Sequence, residues 1–184
     1  AMATAVERMN KAAGLDFPVV LLGERGVGKT TRARECLHQW SGRRDGHFEE
    51  VVCGGYTNQE LLKGELFGWK EGAFTGAIND YEGALMRANK GTLFLDEIAD
   101  MEPPVQRTLI RAVESGQFLP LGAKQQEKSD FRLVCATNRK EEDWRRILDA
   151  DFRDRVFRIV ITIPPLRRRH EDLPHIWKKF FDSM

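Results

Sequence analysis

The chain has 184 residues, enough for one ordinary domain or one domain with part of the next. Hydrophobic residues make up 41% and charged residues 31%, which allows a buried core and excludes disordered and fibrous chains. The formal net charge is +1, so bulk charge gives no sign of nucleic-acid affinity.

No apolar run approaches the length of a membrane span, and no signal peptide opens the chain. Cys36, Cys53 and Cys135 are far apart and form no CxxC pair. That argues against a disulfide framework or a zinc site and fits a reducing cytosol. The histidines, His38, His47, His170 and His175, show no HExxH spacing and are read as surface or packing residues.

Taken in chain order, the elements alternate between strand and helix. Ala1-Met2 reads as the remnant of a removed tag and is set aside from the fold. Pro18–Leu22 is a short apolar run before a glycine-rich turn, as in a buried parallel strand. Ala33, Cys36, Leu37 and Trp40 form an i, i+3, i+4, i+7 stripe, which predicts a helix with those residues facing the core. Glu50–Cys53 is a short strand. Thr57 with Glu60 makes a capping box ahead of Leu61, Leu62 and Leu66. Gly91–Leu95 is a second buried strand, ending in acids. Pro103 and Pro104 begin a helix whose buried face is Val105, Leu109, Ala112 and Val113, with Gly116 closing it. Gln117–Leu121 and Asp130–Ala136 read as two strands of a hairpin joined by the polar Gly122–Ser129. Trp144, Ile147 and Leu148 mark another helix, and Ile159–Ile163 a last apolar strand before Pro164-Pro165. Leu173, Ile176, Trp177, Phe180 and Phe181 fall at helical spacing, and the pattern runs to Met184. That predicts either the start of a further domain or a terminal helix docked on the core. The fold class is α/β, an open, mostly parallel sheet with helices on both faces.

Three constellations carry chemistry. Gly23-Glu24-Arg25-Gly26-Val27-Gly28-Lys29-Thr30, followed by Thr31, matches GxxxxGK[ST] between a buried strand and an amphipathic helix. Glycines let backbone N–H groups close on phosphate oxygens, and the helix points its positive end at the same anion. Lys29 reaches the β- and γ-phosphates of ATP, and Thr30 offers its hydroxyl to Mg²⁺. Asp96-Glu97 ends the second buried strand, in the crevice where such sheets bind ligands. Asp96 suits Mg²⁺ and Glu97 suits activation of the attacking water; alone, the pair could simply cap a helix. Asn138 follows the strand Phe131–Cys135, placed to position that water or sense the γ-phosphate, or to serve as a turn residue.

Gly72-Ala73-Phe74-Thr75-Gly76-Ala77 spells GAFTGA after Glu71. With Leu66-Phe67-Gly68, Gly91–Glu97, Pro164-Pro165-Leu166-Arg167 and Glu171-Asp172, nearly the whole chain resembles the central domain of the sigma-54-dependent transcriptional activators. These bacterial enhancer-binding proteins belong to the AAA+ class. The resemblance implies a P-loop AAA+ ATPase subdomain over residues 3–170, with the GAFTGA loop at 71–77 and a second pore-loop hairpin at 117–135. Residues 171–184 become the start of a helical lid that continues past Met184. Phe74 and Thr75, within the Gly72–Ala77 contact element, are implied to touch sigma-54 in the RNA polymerase holoenzyme. From the residues alone, Phe74 could instead tuck into the core as part of a turn, and Gly122–Ser129 could be a solvated turn.

The same resemblance implies a ring, expected as a hexamer, in the bacterial cytoplasm. ATP lies between subunits, hydrolysis moves the loop, and promoter DNA is engaged only indirectly. Its arginine fingers fall, counting back from Pro164, at Arg155 and Asp149; a gapped match makes Arg153 the first finger. Arg155 is favoured, with Arg153 kept as a candidate. An asparagine that restrains the catalytic glutamate in the family is replaced here by Val52. Two other readings remain, a generic AAA+ remodelling ATPase with a different client, and a nucleotide-dependent assembly module without turnover.

Overall fold

The computed structural model describes residues 2–182. Five parallel strands form the central sheet, in the order β2-β3-β6-β1-β7. They are β1 (Val19–Leu22), β2 (Phe48–Val52), β3 (Thr92–Asp96), β6 (Arg132–Thr137) and β7 (Ile159–Thr162). β1 sits between β6 and β7, with Leu21 opposite both Ala136 and Ile161. The period of two along each strand divides the core in two. Val20, Leu93, Leu95, Leu133 and Cys135 face one side, and Val19, Leu21, Phe94, Val134 and Ala136 the other.

On the second side lie α1 (Met2–Ala13) and α2 (Lys29–Arg32), which runs on as a π-helical stretch, Ala33–His38. Met2, set aside in the sequence reading, is buried in α1 and contributes to the core. The π stretch also corrects the predicted stripe. Wider turns bring Cys36, Leu37 and His38 inward, the helix ends, and Trp40 is exposed.

On the first side lie α3 (Gln59–Phe67), α4 (Ala84–Arg87), α5 (Pro103–Ser115), α6 (Glu141–Ile147) and α7 (Ala150–Val156). The cap of α3 is Asn58, whose side chain accepts the Leu61 N–H at 2.8 Å, rather than the predicted Thr57–Glu60 box. Starting one residue later turns Leu61 out to solvent while Leu62 and Leu66 stay buried. α5 begins at Pro103 and ends at Gly116, in the left-handed conformation, as predicted.

The predicted hairpin is redrawn. β4 (Gln117–Phe118) pairs antiparallel with β5 (Glu127–Lys128), inside the segment read as its polar tip. The run read as its second strand is β6, taken into the central sheet between β3 and β1. A fully buried strand satisfies more backbone and apolar surface between two neighbours than in an exposed ribbon. α8 (Leu173–Asp182) closes the described chain, with Trp177 and Phe181 exposed and stacked at 5.7 Å. The side chains of Ile176 and Phe180, and Met184, lie outside the described residues. Among the described residues no helix is long and apolar enough to cross a membrane.

Candidate nucleotide site and its contact loop

The strands β1, β3 and β6 deliver their C-terminal ends to one edge, and the three predicted constellations meet there. β1 exits into Gly23, whose N–H donates to Thr137 O of β6 at 3.3 Å. Gly26 and Gly28 take φ of 75° and 90°, the left-handed region that glycine enters at no steric cost. These turns wrap the loop around Lys29, which is buried. Its Nζ donates to Gly23 O (3.1 Å) and Glu24 O (3.2 Å), so the cation sits at the centre of the loop. Burial lowers the Lys29 pKa, against the attraction of Asp96 and Glu97, which favours the ammonium. Thr30 is half-buried in the first turn of α2, and Thr31 is exposed.

Asp96 ends β3, and its Oδ1 accepts the Glu97 N–H at 2.9 Å. Glu97 itself has φ 54° and ψ 45°, a left-handed conformation uncommon outside glycine. Glu97 Oε1 receives Arg25 Nη2 from the phosphate loop and Asn138 Nδ2 from the end of β6, each at 3.4 Å. One carboxylate therefore joins all three constellations. The Thr30 hydroxyl and the Asp96 carboxylate are hard oxygen donors of the kind that suits Mg²⁺, which takes one or two protein ligands and completes its shell with phosphates and water. Among the described residues no group of three or more His, Cys, Asp or Glu is placed to hold a metal.

Several supports of this edge were not legible beforehand. Arg167 pairs with Glu24 through two contacts (2.7 and 2.5 Å), and buried Arg169 donates to Val27 O at 2.7 Å. Both brace the loop from the segment after Pro165. Arg139 holds Asp100 through Nε at 3.1 Å. The Pro-Pro-Leu-Arg run is the signal that points to Arg167; nothing local singles out Arg169 or Arg139.

The two predicted fingers face different surroundings. Arg155 is ion-paired with Glu114 of α5, and Asp149 with Arg107 at 3.3 Å. Arg153 is half-buried and lines a cavity with Leu22, Trp144 and Phe157. Neither arginine contacts Lys29 or Glu97 of its own chain among the described residues. Val52, exposed at the end of β2, lies opposite Asp96.

The Gly72–Ala77 segment is a compact surface turn. Gly72 N donates to Ala77 O at 2.8 Å and Ala77 N to Phe74 O at 3.0 Å. Below it Trp69 and Tyr81 exchange both backbone hydrogen bonds and stack their rings at 4.1 Å. Phe74 is 45% exposed, edge-on to Trp69, so it does not tuck into the core; Thr75 and Ile78 are exposed as well. The β4–β5 ribbon reaches the same turn. Lys70 N donates to Leu121 O at 2.9 Å, and Lys70 Nζ pairs with Glu127 at 3.0 Å. Gly122 lies against Ala73, so closely that a Cβ there would be 2.7 Å from Ala73 Cβ. The two segments predicted as pore loops thus touch each other.

Comparison with known proteins gives a consistent picture. The family model described as the sigma-54 interaction domain matches residues 1–164. The transcriptional regulator VasH of Vibrio cholerae is 40% identical over 182 residues, 98% of this chain and 34% of that protein. A Nif-specific regulatory protein of Herbaspirillum seropedicae is 39% identical over 187 residues, 100% of this chain and 34% of that protein. The chain thus spans about a third of the length of these relatives. Among solved structures, NtrX from Brucella abortus in complex with ATP superposes with a TM-score of 0.87 at 27% identity, covering 99% of this chain and 39% of that one. The P-loop NTPase domain of the sigma-54 transport activator from E. coli, at 21% identity, shares the fold with a TM-score of 0.57, over 85% of this chain and 97% of that one. The α/β fold is that of the P-loop AAA+ NTPase domains.

Proposed function

The chain belongs to the sigma-54 interaction domain family of sigma-54-dependent transcriptional regulators, and from that premise we propose that it hydrolyses ATP to drive the Gly72–Ala77 loop against sigma-54. In this reading the chain works in a ring, expected as a hexamer, in the bacterial cytoplasm, and the stroke remodels the closed promoter complex of RNA polymerase to an open one. The observation that carries the reading is the meeting of Arg25, Glu97 and Asn138 at the edge where Lys29 and Asp96 lie.

The residues divide the work. In the Gly23–Thr31 loop the backbone N–H groups after Gly23, whose own N–H is taken by Thr137 O, bind the phosphates, and Lys29 neutralises charge between the β- and γ-groups. Thr30 and Asp96 would hold Mg²⁺, which supplies further charge neutralisation on the phosphates when bound. Glu97 accepts a proton from the attacking water, and Asn138 orients that water. Arg155 of a neighbouring subunit, or else Arg153, stabilises charge on the transferring phosphoryl group. Its present pair with Glu114 is a half-exposed surface pair of the kind worth at most about 1 kcal/mol, so the side chain can leave it. Loss of the γ-phosphate changes what Glu97 and Asn138 hold, and the Gly72–Ala77 turn shifts on its Trp69–Tyr81 stem.

The test uses the intact polypeptide mixed with sigma-54 and ADP plus a γ-phosphate transition-state mimic, followed by gel filtration, with Thr75→Ala alongside. The expected result is a large complex that forms only with the mimic and is lost in the variant. ATP hydrolysis without any complex would instead mean a remodelling ATPase with another client. Nucleotide-dependent assembly without hydrolysis would mean a module that does not turn over.

A further inference from the structure

Val27 stands between the two left-handed glycines of the loop, Gly26 and Gly28. Its side chain is buried in the core with Met2, Ala33 and Ile163. Its carbonyl oxygen accepts Arg169 Nη2 at 2.7 Å. Arg169 comes from the far end of the chain, between the short 3₁₀ turns Leu166–Arg168 and His170–Asp172 that lead from β7 to α8. It is 5% exposed. Its Nη1 donates to Asp172 Oδ2 at 3.3 Å and lies 3.9 Å from Met2 Sδ, and its Nε is buried with no hydrogen-bond partner among the described residues. Burying a guanidinium with one donor unpaired is costly, and the backbone acceptor it reaches lies in the loop.

That acceptor fixes a peptide plane. Among the described residues no peptide bond is cis, so the Val27 C=O and the Gly28 N–H point in opposite directions. With the oxygen turned inward to Arg169, the N–H of half-exposed Gly28 points outward, to the mouth of the loop. Gly28 O is tied separately, accepting the Arg32 N–H at 3.0 Å, while the Gly28 N–H donates to no group among the described residues. Glycine admits φ of either sign, so position 28 itself does little to stop this plane from turning over. The hold on Val27 O decides which way the N–H faces.

We propose that Arg169 is a positioning residue for nucleotide binding, which locks the Val27–Gly28 peptide so that the Gly28 N–H meets the β-phosphate. Arg169 touches no phosphate; it acts through the backbone of the loop. Asp172 holds the guanidinium in place, and the buried Val27 side chain anchors the same plane from its other end. The orientation is set when the domain folds, so nucleotide binding does not have to supply it. The inference rests on the reading of Gly23–Thr31 as the nucleotide site.

The experiment is calorimetric titration of the intact polypeptide with AMP, ADP and ATP. Arg169→Met, which keeps the stem and removes the donors, should weaken ADP and ATP about tenfold each, the lower end for losing one hydrogen bond to a charged oxygen. AMP has no β-phosphate and should change by less than about twofold. Arg169→Lys, whose ammonium can still reach one carbonyl, should recover most of the loss. In steady-state hydrolysis the Met variant should raise KM and leave kcat within about twofold, as expected for binding shared by ground and transition states. Should Arg169→Met not fold, Asp172→Asn loosens the guanidinium and leaves it in place, and it should weaken ADP about twofold to threefold. Unchanged ADP affinity in a folded Arg169→Met or in Asp172→Asn would overturn the lock and leave the nucleotide site standing. An equal loss for AMP, ADP and ATP would also overturn it, and would assign Arg169 to general packing. A wild type that binds none of the three nucleotides would overturn both the lock and the site.

Discussion

Replacing Arg132 with methionine tests what fastens α1 to the sheet. Arg132 opens β6 and is 2% exposed. Its guanidinium donates to Ala12 O (2.6 Å), Ala13 O (3.3 Å) and Leu37 O (2.8 Å). These carbonyls lie in the last turns of α1 and the π stretch, and Ala12 O also accepts the Leu15 N–H at 3.0 Å. Methionine keeps the straight stem and removes every donor. Two short bonds from a charged donor contribute about 1.5–3 kcal/mol each, so the loss is about 3–6 kcal/mol. The charge has its own cost. Burial lowers the Arg132 pKa, and its Nε is buried without a hydrogen-bond partner. Relieving that offsets about 1–3 kcal/mol. The net expectation is a destabilisation of about 2–3 kcal/mol. With a urea m-value of about 2 kcal/mol/M, the midpoint should fall by about 1 M. A midpoint unchanged or raised would refute the reasoning. It would mean that the buried charge costs as much as its bonds contribute, and that Met2, Ala5, Met9 and Ala12 dock α1 unaided.

Three further expectations follow from the same contacts. Glu97→Gln should keep nucleotide binding and lower ATP turnover by about 10²–10⁴-fold, the usual contribution of a general base; equal turnover would remove Glu97 from the chemistry. Gly83→Ala should uncouple the loop stem, because a Cβ there would lie 2.3 Å from Gly68 N and 2.4 Å from Phe67 C. A loss of about 1–3 kcal/mol in thermal unfolding is expected, and a variant as stable as wild type would show that the stem has slack. His38 is buried, and burial first, then the charges of Arg34, His47 and Arg132, lower its pKa from 6.5. Between the two values the unfolded chain binds more protons, so stability falls as pH drops below about 6.5. In thermal melts His38→Asn should flatten that slope, and an unchanged slope would assign it to another group.

How much of this was legible in the sequence depended on distance along the chain. Gly23–Thr30, Asp96-Glu97 and Asn138 stood out because each is a local run at the end of an apolar strand, and the fold brings them to one edge. α1 was less readable. Its buried face is mostly alanine and methionine, and only docking on the Ala33–His38 stretch and β7 shows which side is covered. Gly54 carries no local signal, because the Glu97 carboxylate that lies against it is 43 positions later in the chain. Asp149 and Arg107 carried no sign of their pairing, because a salt bridge between α5 and α7 needs both helices in place.

The sequence by itself determined the class of fold, the Gly23–Thr30 loop, the acids that lie beside it and the glycine-flanked Gly72–Ala77 turn. Those rest on nearest-neighbour chemistry: periodicity, conformational freedom and side-chain type. Only the tertiary structure decided that Asp130–Ala136 supplies a central strand instead of a hairpin arm, and that the helix after the loop widens to bury His38 in place of Trp40. It also decided that Phe74 leans on Trp69 at the surface and that Glu97 rests between Arg25 and Gly54. Each of these is a choice between partners that lie far apart in the chain, and packing across the sheet makes that choice.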